Sequence, residues 1–97
     1  RKIEADIVIA GIGANPETAL AQQAGLDVEN GIRCSETLMT SDPDIYAAGD
    51  CCSFPHLLFG GKRLRLEAWR NATDQANVAT ANMLGGTKSY MAVPWFW

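Results

Sequence analysis

The chain has little positive charge to concentrate anywhere. Its 8 Lys and Arg are outnumbered by 11 Asp and Glu, the net charge is −3, and Lys62-Arg63-Leu64-Arg65 is the densest basic cluster. Phosphate backbones and anionic membrane surfaces are held by clustered Lys and Arg, so neither nucleic acid nor a membrane is expected as a partner. Cysteine is scarce as well. Cys34, Cys51 and Cys52 are odd in number with two adjacent, a poor disulfide framework that suits a reducing cytoplasm. Zinc sites spread four ligands, with thiol pairs about two to four residues apart. Cys51-Cys52 with the single His56 does not meet that pattern, so no metal is expected and His56 is read as a solvated loop residue. No apolar run reaches the length of a membrane span, and no signal peptide, repeat or low-complexity segment is visible. The first residue is Arg rather than Met, so a missing leader carries little weight.

What is there is globular in composition: 97 residues, 47% hydrophobic and 20% charged, enough for one small domain. Ala5 to Ile12 contains the run Ile7-Val8-Ile9-Ala10, which predicts a strand covered on both faces. Asn15 as N-cap, Pro16 at the first helical position and Glu17 in the first turn predict a helix through Leu20 to Ala24, stopped at Gly25. Asn30-Gly31 between Val28 and Ile32 predicts a two-residue hairpin turn, with extended chain from Ile32 to Met39. Asp42-Pro43-Asp44 is read as a turn, not a catalytic carboxylate pair, and Ile45 to Ala48 as the next strand. Pro55, Gly60 and Gly61 make Cys51 to Gly61 a surface loop by local rules, and Arg63 to Glu67 alternates like a short half-buried strand. A helix is predicted over Asn71 to Leu84, its buried stripe formed by Ala72, Ala76, Ala79 and Met83, with Gly85-Gly86 ending it. So small a stripe requires another backbone to come close. The tail Val93-Pro94-Trp95-Phe96-Trp97 ends on three aromatics, an apolar terminus expected to self-associate and read as a cut through a larger folded protein.

Two turns invite a binding reading. Gly11-Ile12-Gly13-Ala14-Asn15-Pro16 follows a predicted strand, but Pro16 stands where a dinucleotide fingerprint needs its third small residue, and a plain strand-to-helix turn fits better. Thr40-Ser41-Asp42-Pro43-Asp44-Ile45-Tyr46-Ala47-Ala48-Gly49-Asp50 empties an apolar run onto Gly-Asp. Gly49 permits close backbone approach, and Asp50 can accept from a sugar or polyol hydroxyl, although a lone Gly-Asp also occurs at any strand-to-helix turn.

Taken in order, A-D-I-V-I-A-G-I-G-A-N-P-E-T, N-G-I, T-S-D-P-D-I-Y-A-A-G-D, R-L-E-A-W-R-N-A-x-x-Q and V-P-W-F-W resemble the FAD-dependent ferredoxin reductases, with rubredoxin reductases and apoptosis-inducing-factor relatives nearby. The resemblance covers nearly the whole chain. It implies a partial doubly wound α/β FAD/NAD(P)-binding fold: residues 1–29 as the terminal strand–helix unit of the NAD(P)-binding domain, and 30–97 as the C-terminal half of the FAD-binding domain, cut before a C-terminal domain. It implies that Gly49 and Asp50 meet the FAD ribitol, that Ala68, Trp69, Ala72 and Phe96 lie by the flavin, and that Gly13, Glu67 and Trp97 lie on the NAD side. Trp69 has an ordinary alternative as a core or lid aromatic. The parent implied is an enzyme passing electrons from NAD(P)H through FAD to a ferredoxin-type iron–sulfur protein in the cytoplasm, with the cysteines as bystanders and this chain alone inactive. The rivals are a stand-alone nucleotide-binding module and a non-catalytic assembly domain.

Overall fold

The computed structural model describes residues 1–95; Phe96 and Trp97 lie outside the described residues. The fold is a three-stranded sheet with one long helix against it. Helix α1 is Ala19–Gln23, strand β1 Ile32–Arg33, β2 Cys52–His56, β3 Lys62–Leu64 and helix α2 Trp69–Met83, with a 3-10 turn at Leu57–Phe59. The strands lie in the order β1-β2-β3, β1 parallel and β3 antiparallel to the central β2.

The central strand overturns two expectations. The segment read as a surface loop contains β2, in which Cys52, Ser53, Phe54 and His56 are all buried. Burying Phe54 alone contributes about 1.5–3 kcal/mol. His56 is not solvated: it is fully buried, its Nε2 lies 3.0 Å from the Ala92 carbonyl oxygen, and its ring packs edge-on to Phe59. Pro55 fits inside a central strand because β1 ends opposite Ser53. Cys34 N donates to Ser53 O at 2.8 Å, and the next ladder bond would run from residue 55 to the Cys34 carbonyl. Proline has no N–H to give. Arg63, paired with Pro55 across the sheet, supplies the donor instead, its Nη1 lying 3.1 Å from Cys34 O and 2.6 Å from Ser53 O.

The first segment departs most from expectation. Residues 5–12 form no strand, and Ile7, Val8, Ile9 and Ile12 are 80–92% exposed. A strand apolar on both faces needs neighbours in a sheet, and no described strand pairs with this one. Helix α1 starts later than predicted. Asn15 does not cap it; the Glu17 carboxylate takes the Ala19 N–H at 2.9 Å. Its end is as read: Gly25 has φ +77°, with Leu26 N donating to Ala21 O and Gly25 N to Gln22 O.

Between Val28 and Ile32 the pairing is a single bridge, with Asn30 and Gly31 both at positive φ. The extended chain expected through Met39 breaks after Arg33 into a turn in which Ser35 Oγ accepts from Thr37 N and Met39 N. Asp42-Pro43-Asp44 turns as read, with Asp44 N donating to Asp42 Oδ1 at 2.9 Å. Ile45 to Ala48 is extended but meets its neighbour in one bridge, Tyr46 with Met39, so it is a hairpin arm rather than a sheet strand. The alternating segment holds as β3, although it starts at Lys62 and ends at Leu64.

Helix α2 begins two residues before the predicted start, and half of the predicted stripe is turned inward, Ala79 buried and Ala72 half-buried. Asn71, Gln75, Val78, Ala79 and Asn82 point inward, while Ala76 and Met83 are exposed. Carboxamides can be buried here because the loops offer partners. Asn82 Nδ2 donates to Thr37 O and Lys88 O, and Tyr90 Oη donates to Asn71 Oδ1 at 3.0 Å. The close backbone approach does occur, at Ala72 against Gly49. Cys34, Leu38, Ala47, Cys52, Phe54, Val78, Ala79 and Tyr90 form the core.

Candidate functional site

A cleft of about 490 Å³ runs between the Ala14–Glu17 turn, the Asp50-Cys51 turn and the Arg65–Glu67 segment that leads into α2. Asp50 and Glu67, expected to serve different cofactors, line the same cleft and are both exposed. Gly13, one residue before the lining, has φ +88° and is exposed. Gly49 is buried with φ +85°, its main chain turned so that Asp50 follows at the rim.

Arg65 organises this cleft, and the sequence reading assigned it nothing. Its Nη2 donates to Ala14 O at 2.9 Å and lies 2.7 Å from Glu67 Oε1; its Nη1 donates to Asp50 O at 3.0 Å. One guanidinium thus joins the first turn, the Gly-Asp turn and Glu67. The rigid fork of an arginine is suited to such a junction. Its signal was present in the R-L-E-A-W motif, but a contact 51 residues away has no local signature.

Beyond the cleft, Ala68 caps α2 without any side-chain hydrogen bond, and the helix's first turn holds no acidic residue. Its opening N–H groups therefore carry uncompensated partial positive charge. Trp69, the first helical residue, is 81% exposed, which sets aside its reading as a core aromatic. Ala72 is half-buried against Gly49. The tail comes back to the same place: Val93, Pro94 and Trp95 lie beside Ala68 and Asn71. Phe96 and Trp97 lie outside the described residues.

The cysteines are free thiols, Cys34 and Cys52 buried and Cys51 half-buried. Burial pushes the Cys51 thiol up, so it stays protonated at neutral pH. Cys34 and Cys52 are buried together in the core and share a hydrogen bond, which pulls Cys34 below the ordinary thiol value against its burial and holds Cys52 far above it. Among the described residues no three His, Cys, Asp or Glu side chains converge as a metal would need, and no helix is long and apolar enough to cross a membrane.

Known proteins share this fold. The chain is 44% identical over 95 residues to the ferredoxin–NAD(+) reductase component of the anthranilate 1,2-dioxygenase system of Burkholderia cepacia, which covers 98% of the chain and 23% of the relative. It is 45% identical over 96 residues to putidaredoxin reductase of Pseudomonas putida, with 99% of the chain and 22% of the relative covered. Among solved structures, the ferredoxin reductase for the CYP199A2 system of Rhodopseudomonas palustris superposes with a TM-score of 0.83 at 43% identity, over 95% of this chain and 22% of that one. The covalent putidaredoxin reductase–putidaredoxin complex gives 0.78 at 46% identity, over 96% of this chain and 22% of that one. The chain thus spans less than a quarter of the length of these relatives. The profile described as pyridine nucleotide-disulphide oxidoreductase matches residues 1–76, and the chain belongs to that family.

Proposed function

We propose that residues 1–29 are the last strand–helix unit of an NAD(P)-binding domain and residues 30–97 the C-terminal half of an FAD-binding domain. The parent is a cytoplasmic flavoprotein that carries electrons from NAD(P)H through FAD to a ferredoxin-type iron–sulfur protein. The observation that carries this reading is the gathering of three segments distant in sequence, Ala14–Glu17, Asp50 and Arg65–Glu67, around one cleft at the foot of α2. The names of the relatives support the partner class, one solved neighbour being a reductase joined to its putidaredoxin.

The donor set fits a flavin. The exposed Asp50 carboxylate is an acceptor for ribitol hydroxyls. The uncapped start of α2, with Ala68, Trp69 and Ala72, offers N–H groups and partial positive charge to the electron-rich edge of the ring. Exposed Trp69 is free to cover the ring and limit water. Gly13 and Glu67 serve the nicotinamide nucleotide, Glu67 held in place by Arg65. Phe96 on the flavin side and Trp97 on the NAD side belong to the same reading and lie outside the described residues. Bound FAD supplies the redox chemistry, accepting hydride and releasing electrons one at a time. This chain's residues bind, orient and exclude water; none is asked to act as nucleophile or base.

In isolation the chain is expected to bind FAD weakly or not at all, to lack reductase activity, and to self-associate through the exposed Ile7–Ile12 run. That exposed run also favours the assembly-domain reading. A stand-alone nucleotide module has less support, because the strand it would be built on does not form in residues 5–12. The test is an amide NMR titration with FAD at about 1 mM, where even a 1 mM affinity corresponds to about 4 kcal/mol and is visible. Shifts gathered at Asp50, Glu67 and Trp69 that vanish in Asp50→Ala are the expected result. Shifts indifferent to Asp50, or submicromolar affinity for the isolated chain, overturn the reading; no shift at all marks the chain as a half-site that needs the rest of the parent.

A further inference from the structure

We infer that Gln75, buried one helical turn beyond Ala72, is the positioning residue that sets the Gly49–Asp50 turn for its ligand. The inference deepens the flavin reading above and rests on it.

Gly49 is buried, and a buried peptide N–H needs a partner. Its own backbone environment provides none, because the chain there is leaving the Met39–Tyr46 hairpin and has not yet entered β2. The partner is Gln75 Oε1, at 2.7 Å across 26 residues of sequence. The Gly49 carbonyl is occupied too, accepting from Cys52 N at 2.9 Å. Both main-chain groups of Gly49 are therefore committed inside the protein, which leaves the Asp50 side chain as the part of the turn presented to a ligand. Asp50 is then aimed by two fixtures. Gln75 holds the peptide before it, and Arg65 Nη1 holds its own carbonyl at 3.0 Å.

The second arm of the same carboxamide shows that this bond is not there for stability alone. Gln75 Nε2 is buried and has no hydrogen-bond partner. An unpaired buried amide N–H is destabilising, roughly offsetting what the Gly49 bond contributes. An apolar side chain of the same size would lift that penalty but would orphan the buried Gly49 N–H instead and leave the turn unheld. The two costs are alike in size, so what Gln75 adds over an apolar residue is the geometry of the turn.

The test uses the whole chain, ¹⁵N-labelled, with the substitutions Gln75→Met and Gln75→Glu. Met matches the shape and removes the acceptor; Glu keeps an oxygen where Oε1 stood. Hydrogen exchange at the Gly49 amide is expected to accelerate about 10-fold or more in Gln75→Met while Val78 and Ala79 keep their protection, and to return towards the original rate in Gln75→Glu. FAD-induced shifts at Asp50 are expected to need about 10-fold more ligand in Gln75→Met and to recover in Gln75→Glu. Unchanged Gly49 exchange in Gln75→Met overturns the inference. So does equal loss of protection along the whole of α2, which marks a structural role only. If the unsubstituted chain shows no FAD response, it is a half-site on its own, and the exchange data alone decide whether Gln75 holds the turn. If Gln75→Glu does not fold, Gln75→Met alone still decides by the contrast between Gly49 and Val78.

Discussion

Gly49 packs against Ala72: a Cβ built on Gly49 would lie 3.4 Å from the Ala72 Cβ, an ordinary contact. What a side chain at Gly49 would meet is strain rather than a clash, since its φ is +85°. Gly49→Ala is expected to lower stability by about 1–2 kcal/mol, the penalty of left-handed backbone for an L-residue. Adding Ala72→Gly should restore little of it. Urea unfolding of the two variants and of the pair checks this; full rescue by Ala72→Gly would show that crowding, not φ, is the cause.

Arg65→Lys keeps the charge but not the fork. A single ammonium cannot reach Ala14 O, Asp50 O and Glu67 together, so the Ala14–Glu17 turn should loosen from the Gly-Asp turn. The expected loss is about 1–2 kcal/mol, from hydrogen bonds to a charged group that is nearly buried. Amide chemical shifts of Asn15 and Glu17, next to the Ala14 carbonyl that Arg65 holds, should move while those of α2 beyond its first turn stay in place. Unchanged shifts there would mean that the first turn is held by something other than Arg65.

Stability should fall in alkali. Burial, aided by Asp74, pushes the Tyr90 phenol above its usual 10.0, and burial pushes the Cys51 thiol above its usual 9.0. Both groups hold their protons more tightly when folded. Their contribution is therefore complete below the unfolded values and is lost as pH rises through them towards the folded ones. Unfolding midpoints should be level to about pH 8.5 and decline steadily above it, with a shallower decline in Tyr90→Phe. A midpoint rising above that pH would contradict the sign.

Trp69→Ala should leave the stability of the chain within about 0.5 kcal/mol, because the side chain is 81% exposed. Any FAD response at the start of α2 should weaken with it. A large loss of stability would show that Trp69 is covered in solution, by a second copy or by the chain's own tail.

The parts of the fold that were legible are those whose cause is local. Gly25 and Gly85 end their helices at positive φ, and Asp42 turns the chain with its own carboxylate. The Gly49–Asp50 turn and the start of α2 were likewise visible as short motifs. What could not be read depends on partners far along the chain. Residues 5–12 look like a strand because of their side chains, but a strand exists only when a neighbour pairs with it. Cys52–His56 looks like a loop because proline and small polar residues suggest one, yet the missing N–H falls where Arg63 can replace it. The polar half of the inward face of α2 was missed for the same reason, since Asn82 and Gln75 find their partners in loops distant in sequence. In the site, Arg65 and Gln75 escaped notice because their work is done across 51 and 26 residues.

The Pro55–Arg63 arrangement has a consequence for how this sheet meets other chains. Past the end of β1, the flank of β2 offers no donor at Pro55, and the Ser53 carbonyl before it is already occupied by Cys34 N and the Arg63 guanidinium. An incoming β-segment would find the donor half of the hydrogen-bond pattern missing there, which weakens docking by strand addition. The most buried strand of the molecule is in this way made a poor template for fibril growth, by the proline that made it look like a loop.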